Sequence, residues 1–470
     1  MKRSLRIATV LAALCVAAAA MAVGASAAKP HGSKGAKKAK LTGVRPDPSF
    51  GRRGVARIAT SEPPEGFGLQ DSVRMAFGPE GRVYALQGLQ VLGFEPDGKP
   101  ARGFGKNGRV RIESTRGVVK PTGLAVDPEG RVLVSGTLTL TPEAEDQTIP
   151  AGSPREVWGL KLTEAFVIRL LPDGTHDPSF GSGGEVDTTF NLPRPTGKPG
   201  TGTEYEHALV EADTLTLDPQ GRPVVGGGFV DAAYFCGDVN DRVIAFTGRL
   251  TTAGAVDTSY AGKGYATGSE GAVRGAAATP EGGVATLNWG PAFCALHAFP
   301  SQSTFGALAE NGDTSPGLDP ARPRFYSSAA IAVDSQDRAL VAQVMDPFSE
   351  GAVTLLRLLP GGTVDTSFGF GGGIRLTTPV DAAGALTVDG HGRAIVASEG
   401  LLARYTAAGK KDSSFGKKDV VNVGTAGNET TEITSLAVHG KGRIYAAGWI
   451  KNPSLKTGFG IQITRLLPGS

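Results

Sequence analysis

Cysteine is scarce here, with 3 in 470 residues, and so are Met (4), Trp (3) and His (6). No Cys-x-x-Cys, His-Glu-x-x-His or Gly-x-Ser-x-Gly occurs, which removes the common redox, metalloprotease and nucleophile-elbow patterns. The run Gly369-Phe370-Gly371-Gly372-Gly373 looks like a nucleotide loop only superficially, because no helical pattern follows it. Charge of one sign is also missing: 48 Lys and Arg stand against 45 Asp and Glu, a net +3, so no global field favours nucleic acid. After residue 23 no apolar run is long enough to cross a bilayer.

Glycine (68) and proline (31) are abundant, and β-branched residues come in short runs. That composition suits many short strands joined by tight turns. A phrase recurs seven times, as DPSFG at 47–51 and 177–181, DTSFG at 365–369 and DSSFG at 412–416, with weaker copies at 102–105, 257–261 and 313–317. Before each phrase but the first lies a hairpin such as LAVDPEGRVLVSG (124–136), then a strand, most of them ending in a turn such as RLLPDG (169–174). Each unit thus supplies four antiparallel strands, called A to D below, and radially repeated four-stranded sheets are the blades of a β-propeller. The expectation is an all-β, seven-bladed β-propeller over residues 44–470. The chain starts with the last part of a unit and ends with the first parts of one. The N-terminal strand is therefore expected to complete the last blade and cover exposed strand edges.

Arg169, Arg249, Arg357 and Arg404 each precede an Asp of the phrase by eight residues: Asp177, Asp257, Asp365 and Asp412. In the first unit both partners are missing together, replaced by Gly93 and Ala101. Each Arg is read as gripping its Asp in a bidentate, structural pair, and Arg465 as gripping Asp47 across the closure. The phrase Phe (Phe50, Phe180, Phe368, Phe415) is read as a buried anchor, and its Gly as a turn residue with positive φ.

Residues 1–27 carry a basic start (Lys2, Arg3, Arg6), an apolar run and the small Ala25-Ser26-Ala27, the pattern of a secretory signal cleaved near Ala27. The expected location is outside the cell or at its envelope. Residues 28–43 form a basic arm, read either as an attachment to an anionic envelope or, preferably, as a solvated linker. The mature chain keeps Cys236 and Cys294, in comparable long B–C loops of neighbouring units. An exported protein with an even count suggests a disulfide of about 2–4 kcal/mol, with two buried thiols as the alternative.

Length beyond the repeat is concentrated in B–C loops 138–164, 229–241 and 288–303 and D–A loop 188–211. Irregular loops on a rigid scaffold are where function tends to sit. Trp158, Tyr205, Tyr234, Phe235 and Trp289 offer an aromatic surface for sugars or peptides, unless they are covered by the loops themselves. Glu204, Glu206, His207 and His297 could hold a transition metal or do acid–base work, with solvated loop polarity as the plainer reading. Asp238, Asn240 and Asp241 supply oxygen donors for calcium, though Asp and Asn are also ordinary turn residues. No other cofactor is expected.

The patterns at 127–136, 167–174 and 175–184 resemble the delta-60 repeat of secreted bacterial β-propellers, and the likeness covers about residues 44–470. They are also similar to the NHL repeat and to gluconolactonase-type propellers. The resemblance implies the fold without an activity, since propellers host hydrolases, lyases, oxidoreductases and binding platforms. The leading expectation is a monomeric, non-enzymatic binding or scaffold module for a polymer, an envelope component or a protein, working through the loops of blades 2–4. The alternative is a propeller hydrolase or lactonase with a metal-held water at the channel mouth.

Overall fold

The computed structural model describes residues 44–60, 72–148, 156–157, 160–194, 208–232, 242–290, 302–308, 324–325, 327–344, 353–360, 362–376, 385–398, 400–416, 420–424, 430–451 and 459–468. The expected signal and basic arm lie outside them.

The chain is an all-β propeller of four-stranded antiparallel blades. Among the described residues six sheets have four strands, each in the order A-B-C-D. Their A strands are Arg74–Phe77, Gly117–Val126, Val210–Leu217, Ala272–Ala278, Ser327–Val333 and Ala385–Val388. The remaining unit differs from the expected seventh four-stranded blade. Its strands Thr430–His439, Arg443–Lys451 and Phe459–Leu467 belong to a five-stranded sheet, because both Arg45–Pro46 and Val55–Ala59 pair with the last strand. The long B–C segment of the second sheet also holds a short helix, Pro142–Thr148. No helix among the described residues is long and apolar enough to cross a membrane.

The A–B turns form from a local device that the hairpin pattern alone did not reveal. In Asp127-Pro-Glu-Gly-Arg131, one oxygen of Asp127 accepts the backbone N–H of Glu129 and Arg131, while Arg131 Nε donates to the other oxygen at 2.6 Å. Gly130 supplies the positive φ the turn needs. Asp218/Arg222, Asp334/Arg338 and Asp389/Arg393 repeat the arrangement.

Strand B is buried on both sides, as in Val132–Leu140, where Ser135 and Thr137 are covered along with the valines and leucines. The hydrophobic cores lie between successive sheets. One joins Tyr84 and Phe104 of the first sheet to Val134 and Phe166 of the second. Another joins Val83 and Phe94 of the first sheet to Tyr445, Trp449 and Phe50 of the five-stranded one.

At the C–D turns Arg169 Nε lies 2.8 Å from Asp177 Oδ2, and the equivalent distances are 2.8 Å for Arg249–Asp257, 2.8 Å for Arg357–Asp365, 2.7 Å for Arg404–Asp412 and 2.9 Å for Arg465–Asp47. The grip is not bidentate, because the other guanidinium nitrogens are spent elsewhere. Arg169 Nη2 donates to Ser179 Oγ at 3.0 Å, and Nη1 donates to the carbonyl of Thr252 in the next sheet at 2.5 Å. Arg357 reaches Ala407 O, and Arg465 reaches Pro96 O, in the same way. The guanidinium of Arg169 also lies over the Phe180 ring, 4.5 Å from its centroid, and the other four arginines cover their phrase aromatic likewise. Phe50, Phe180, Phe368 and Phe415 are fully buried. In the first sheet, where both charges are absent, the Phe104 ring fills the place: a Cβ on Gly93 would meet it at 3.0 Å.

Burial disfavours ionisation of Asp177, but its bonds from Ser179 and the charge of Arg169 outweigh that and hold the carboxyl below its usual range. Asp47, Asp257, Asp365 and Asp412 are lowered in the same manner. A depressed folded pKa contributes stability above the unfolded value and loses it as pH falls through the folded one. The melting temperature is therefore expected to drop steeply below about pH 4, the ordinary Asp range. Arg169→Met, which leaves Asp177 buried without its main partner, is expected to destabilise by about 3–5 kcal/mol in chemical denaturation. A midpoint unchanged from wild type would contradict this account of the pair.

Candidate functional site

Strand A of five sheets carries a β-bulge at the same place. The pairing skips one residue between Pro121 and Gly123, Ala212 and Thr214, Val273 and Gly275, Ser328 and Ala330, and Ile433 and Ser435. The extra residues are Thr122, Asp213, Arg274, Ala329 and Thr434. A bulge leaves its residue out of the ladder and re-aims the side chain.

Two of these residues tie one sheet to the next. Thr122 Oγ1 donates to Ala212 O at 2.7 Å, and Thr434 Oγ1 accepts from the Val73 N–H at 2.9 Å. In the third and fourth sheets the tie is a charge pair instead: Arg274 Nη1 stands 2.8 Å from Asp213 Oδ1. Arg74 of the first sheet joins them, its Nε directed at Thr122 O at 3.3 Å.

Strand A of every sheet, the five-stranded one included, contributes to one cavity of about 210 Å³. Its polar wall holds Arg74, Thr122, Asp213, Thr214, Arg274, Thr434 and Ser435, and leucines such as Leu124, Leu215 and Leu436 complete it. Gly123 must be small there, because a Cβ would meet Leu215 Cβ at 2.5 Å.

Asp213 is 3% exposed, and burial pushes its carboxyl up to about 6. Glu211 adds to the rise, while Arg274, Lys120 and Arg74 oppose it. Burial also lowers the Arg74 guanidinium, with Asp213 countering, yet an arginine stays charged at physiological pH. Arg74 Nη2 and Asp213 Oδ2 are both buried without a hydrogen-bond partner among the described residues. The cluster thus brings two guanidinium groups and one buried carboxylate to the wall of the cavity.

A metal-held water does not fit this cluster, since its donor set repels a cation. Among the described residues no group of three or more His, Cys, Asp or Glu is placed to hold a metal.

The sequence also singled out residues of the long B–C and D–A loops. Trp158, Glu204, Tyr205, Glu206, His207, Tyr234, Phe235, His297, Asp238, Asn240, Asp241, Cys236 and Cys294 lie outside the described residues. Trp289 is on strand Val284–Gly290, opposite Ala272, but its side chain is likewise outside the description. Sequence reasoning missed Arg74, Asp213 and Arg274. The available signal was a polar residue two positions before the apolar start of the hairpin phrase, as in Thr122, Asp213, Arg274 and Thr434.

No family model matches the chain, and no curated protein matches it. Among solved structures it is similar to a gluconolactonase from Xanthomonas campestris, with 12% identity over 84% of this chain and 88% of that one and a TM-score of 0.36. A glucose dehydrogenase shares 11% identity over 87% and 98%, with a TM-score of 0.41. The PQQ-bound aldose sugar dehydrogenase from Streptomyces coelicolor shares 10% over 87% and 98%, with a TM-score of 0.35. At this level of similarity none of them bears on what the chain does.

The raised pKa of Asp213 means that the folded state binds this proton more tightly than the unfolded chain, whose Asp titrates near 4. Its contribution to stability therefore falls as pH rises from about 4 to about 6. Asp213→Asn is expected to remove that slope from a plot of unfolding free energy against pH. An identical slope in the variant would show that Asp213 titrates normally.

Proposed function

We propose that the chain is an exported binding module built as a closed, seven-bladed propeller of the delta-60 repeat kind. The observation that carries the binding reading is the cavity walled by strand A of every sheet, with its two guanidinium groups and single carboxylate. Such a set orients a polar ligand, whereas hydrolysis needs in addition a water held in position for attack. Supporting a closed ring are the pairing of Val55–Ala59 with Phe459–Leu467 and the bond from Val73 N–H to Thr434. Arg465 adds its bond to Pro96 O.

On this reading the long loops of blades 2–4 extend the binding surface beyond the cavity, with a Cys236–Cys294 disulfide holding two of them. Calcium at Asp238, Asn240 and Asp241 would serve the same purpose. The ligand is a polymer, an envelope component or a protein, met by a monomer outside the cell, with residues 28–43 as linker. Nucleic acid does not suit a chain of such small net charge.

A lactonase keeps one observation in its favour: the carboxyl of Asp213, near 6, lies where a general base works. Purified protein should be assayed against a panel of sugar lactones, with and without added calcium or zinc, alongside Asp213→Asn. No turnover above the uncatalysed rate is expected. Turnover abolished by Asp213→Asn would replace the binding reading with the hydrolytic one. Removing residues 44–59 tests the ring: the melting temperature is expected to fall sharply, and an unchanged melt would refute closure by the N-terminal strands.

A further inference from the structure

We propose that the C–D turn end of the blades docks reversibly on an anionic lipid surface, through a basic sector around the five-stranded sheet and the exposed Phe370 beside it. This surface is separate from the cavity, and nothing in it depends on what the cavity holds.

The position after the phrase glycine is one backbone site that carries different side chains. At Arg52, Lys106, Ser182 and Phe370 alike, its N–H donates to the carbonyl three residues on. The turn therefore forms whether a base, a serine or a phenylalanine stands there, and the side chain has no part in closing it. Phe370 is 97% exposed, and Leu359, on the C–D turn of the same sheet, is exposed as well. Large apolar side chains left in water side by side forgo the gain of burial and mark a contact with an apolar partner.

The basic residues gather on the adjoining turns. The phrase turn of the five-stranded sheet carries Arg52 and Arg53, and that of the first sheet carries Arg102 and Lys106. Arg45 flanks them, since a Cβ on Gly54 would meet the neighbouring Pro46 Cβ at 2.6 Å. Lys410 closes the C–D turn of the sixth sheet. All of these bases are exposed, and none has an ion-pair partner among the described residues. The acids on the same turns are mostly engaged: Asp47 and Asp412 by arginines, Asp97 by Lys99 at 2.6 Å and Glu95 by Arg82 at 3.2 Å, with Glu80 left exposed. This concentration runs against the balance of the chain. Residues 1–43 hold 8 of the 48 bases and no acid, which leaves 40 bases against 45 acids in the rest.

The turns form one continuous rim. Gly51 N–H donates to Asp97 O of the first sheet, and Gly369 N–H donates to Ala408 O of the sixth, which sets Phe370 beside the Lys410 turn. Cations alone would suit any polyanion. A basic sector with an exposed ring at its edge matches anionic headgroups lying over apolar chains.

Co-sedimentation of the mature chain with vesicles of phosphatidylcholine alone, and of an equal mixture of phosphatidylcholine and phosphatidylglycerol, tests the proposal. Binding is expected to the mixed vesicles only, and it is expected to weaken as salt rises. Arg52→Gln combined with Arg53→Gln is expected to weaken it about tenfold or more and to flatten the salt dependence. Phe370→Ser is expected to weaken it about tenfold with the salt dependence unchanged. Thermal melts confirm folding, and Lys106→Gln replaces the arginine pair if their turn is disturbed.

Equal binding to both kinds of vesicle, or to neither, overturns the proposal. So does a Phe370→Ser variant that binds the mixed vesicles as well as wild type, the result expected of a site for a soluble polyanion. Binding kept by every variant and lost only on removal of residues 28–43 would assign the affinity to the five lysines there, and also overturns it.

Discussion

The strand C arginine that precedes the phrase holds four partners at once, and the blades depend on it. In the second sheet its guanidinium meets the carboxylate of Asp177, the hydroxyl of Ser179, the face of Phe180 and the carbonyl of Thr252 in the next sheet. A buried charge is tolerable only when its donors are satisfied, and a buried ion pair alone contributes little net stability. Here the surplus donors are what link one blade to its neighbour. The phrase glycines strengthen the link, since Gly51 N–H donates to Asp97 O and Gly181 N–H to Ala253 O.

A second guanidinium reinforces the same carboxylate. Arg222 of the A–B turn lies 3.3 Å from Asp257, and Arg443 lies 3.3 Å from Asp47. The two turns of a blade are therefore cross-linked at one end, leaving variation to the other end and to the interior of strand A. The acidic residues that recur from unit to unit thus serve the frame, whereas Asp213 has no counterpart at the bulge position of the other units.

Strand A shows how a repeat makes room for a site without changing its backbone. The bulge recurs, but its residue varies from Thr122 and Thr434 to Asp213 and Arg274. The threonines bond to the next blade's backbone, and the charged pair performs the same tie while facing the cavity. A position whose structural duty can be met by several side chains is free to acquire a binding role.

The sequence by itself determined the four-stranded unit, the turns and the partnership of each Arg with an Asp eight residues on. Those features are local, repeated, and lost together at Gly93 and Ala101, so periodicity exposes them. It did not disclose the single-nitrogen contact or the Asp127–Arg131 type of turn clasp, because donor allocation depends on geometry. Arg74, Asp213 and Arg274 were decided only by tertiary structure. They come from three sheets far apart in the chain; the convergence of the A strands brings all three to one cavity, and the bulge places Asp213 and Arg274 opposite each other. Spacing could mark Asp213 and Arg274 as polar residues at a repeated position of strand A, but which side chains they meet is set by packing across the fold.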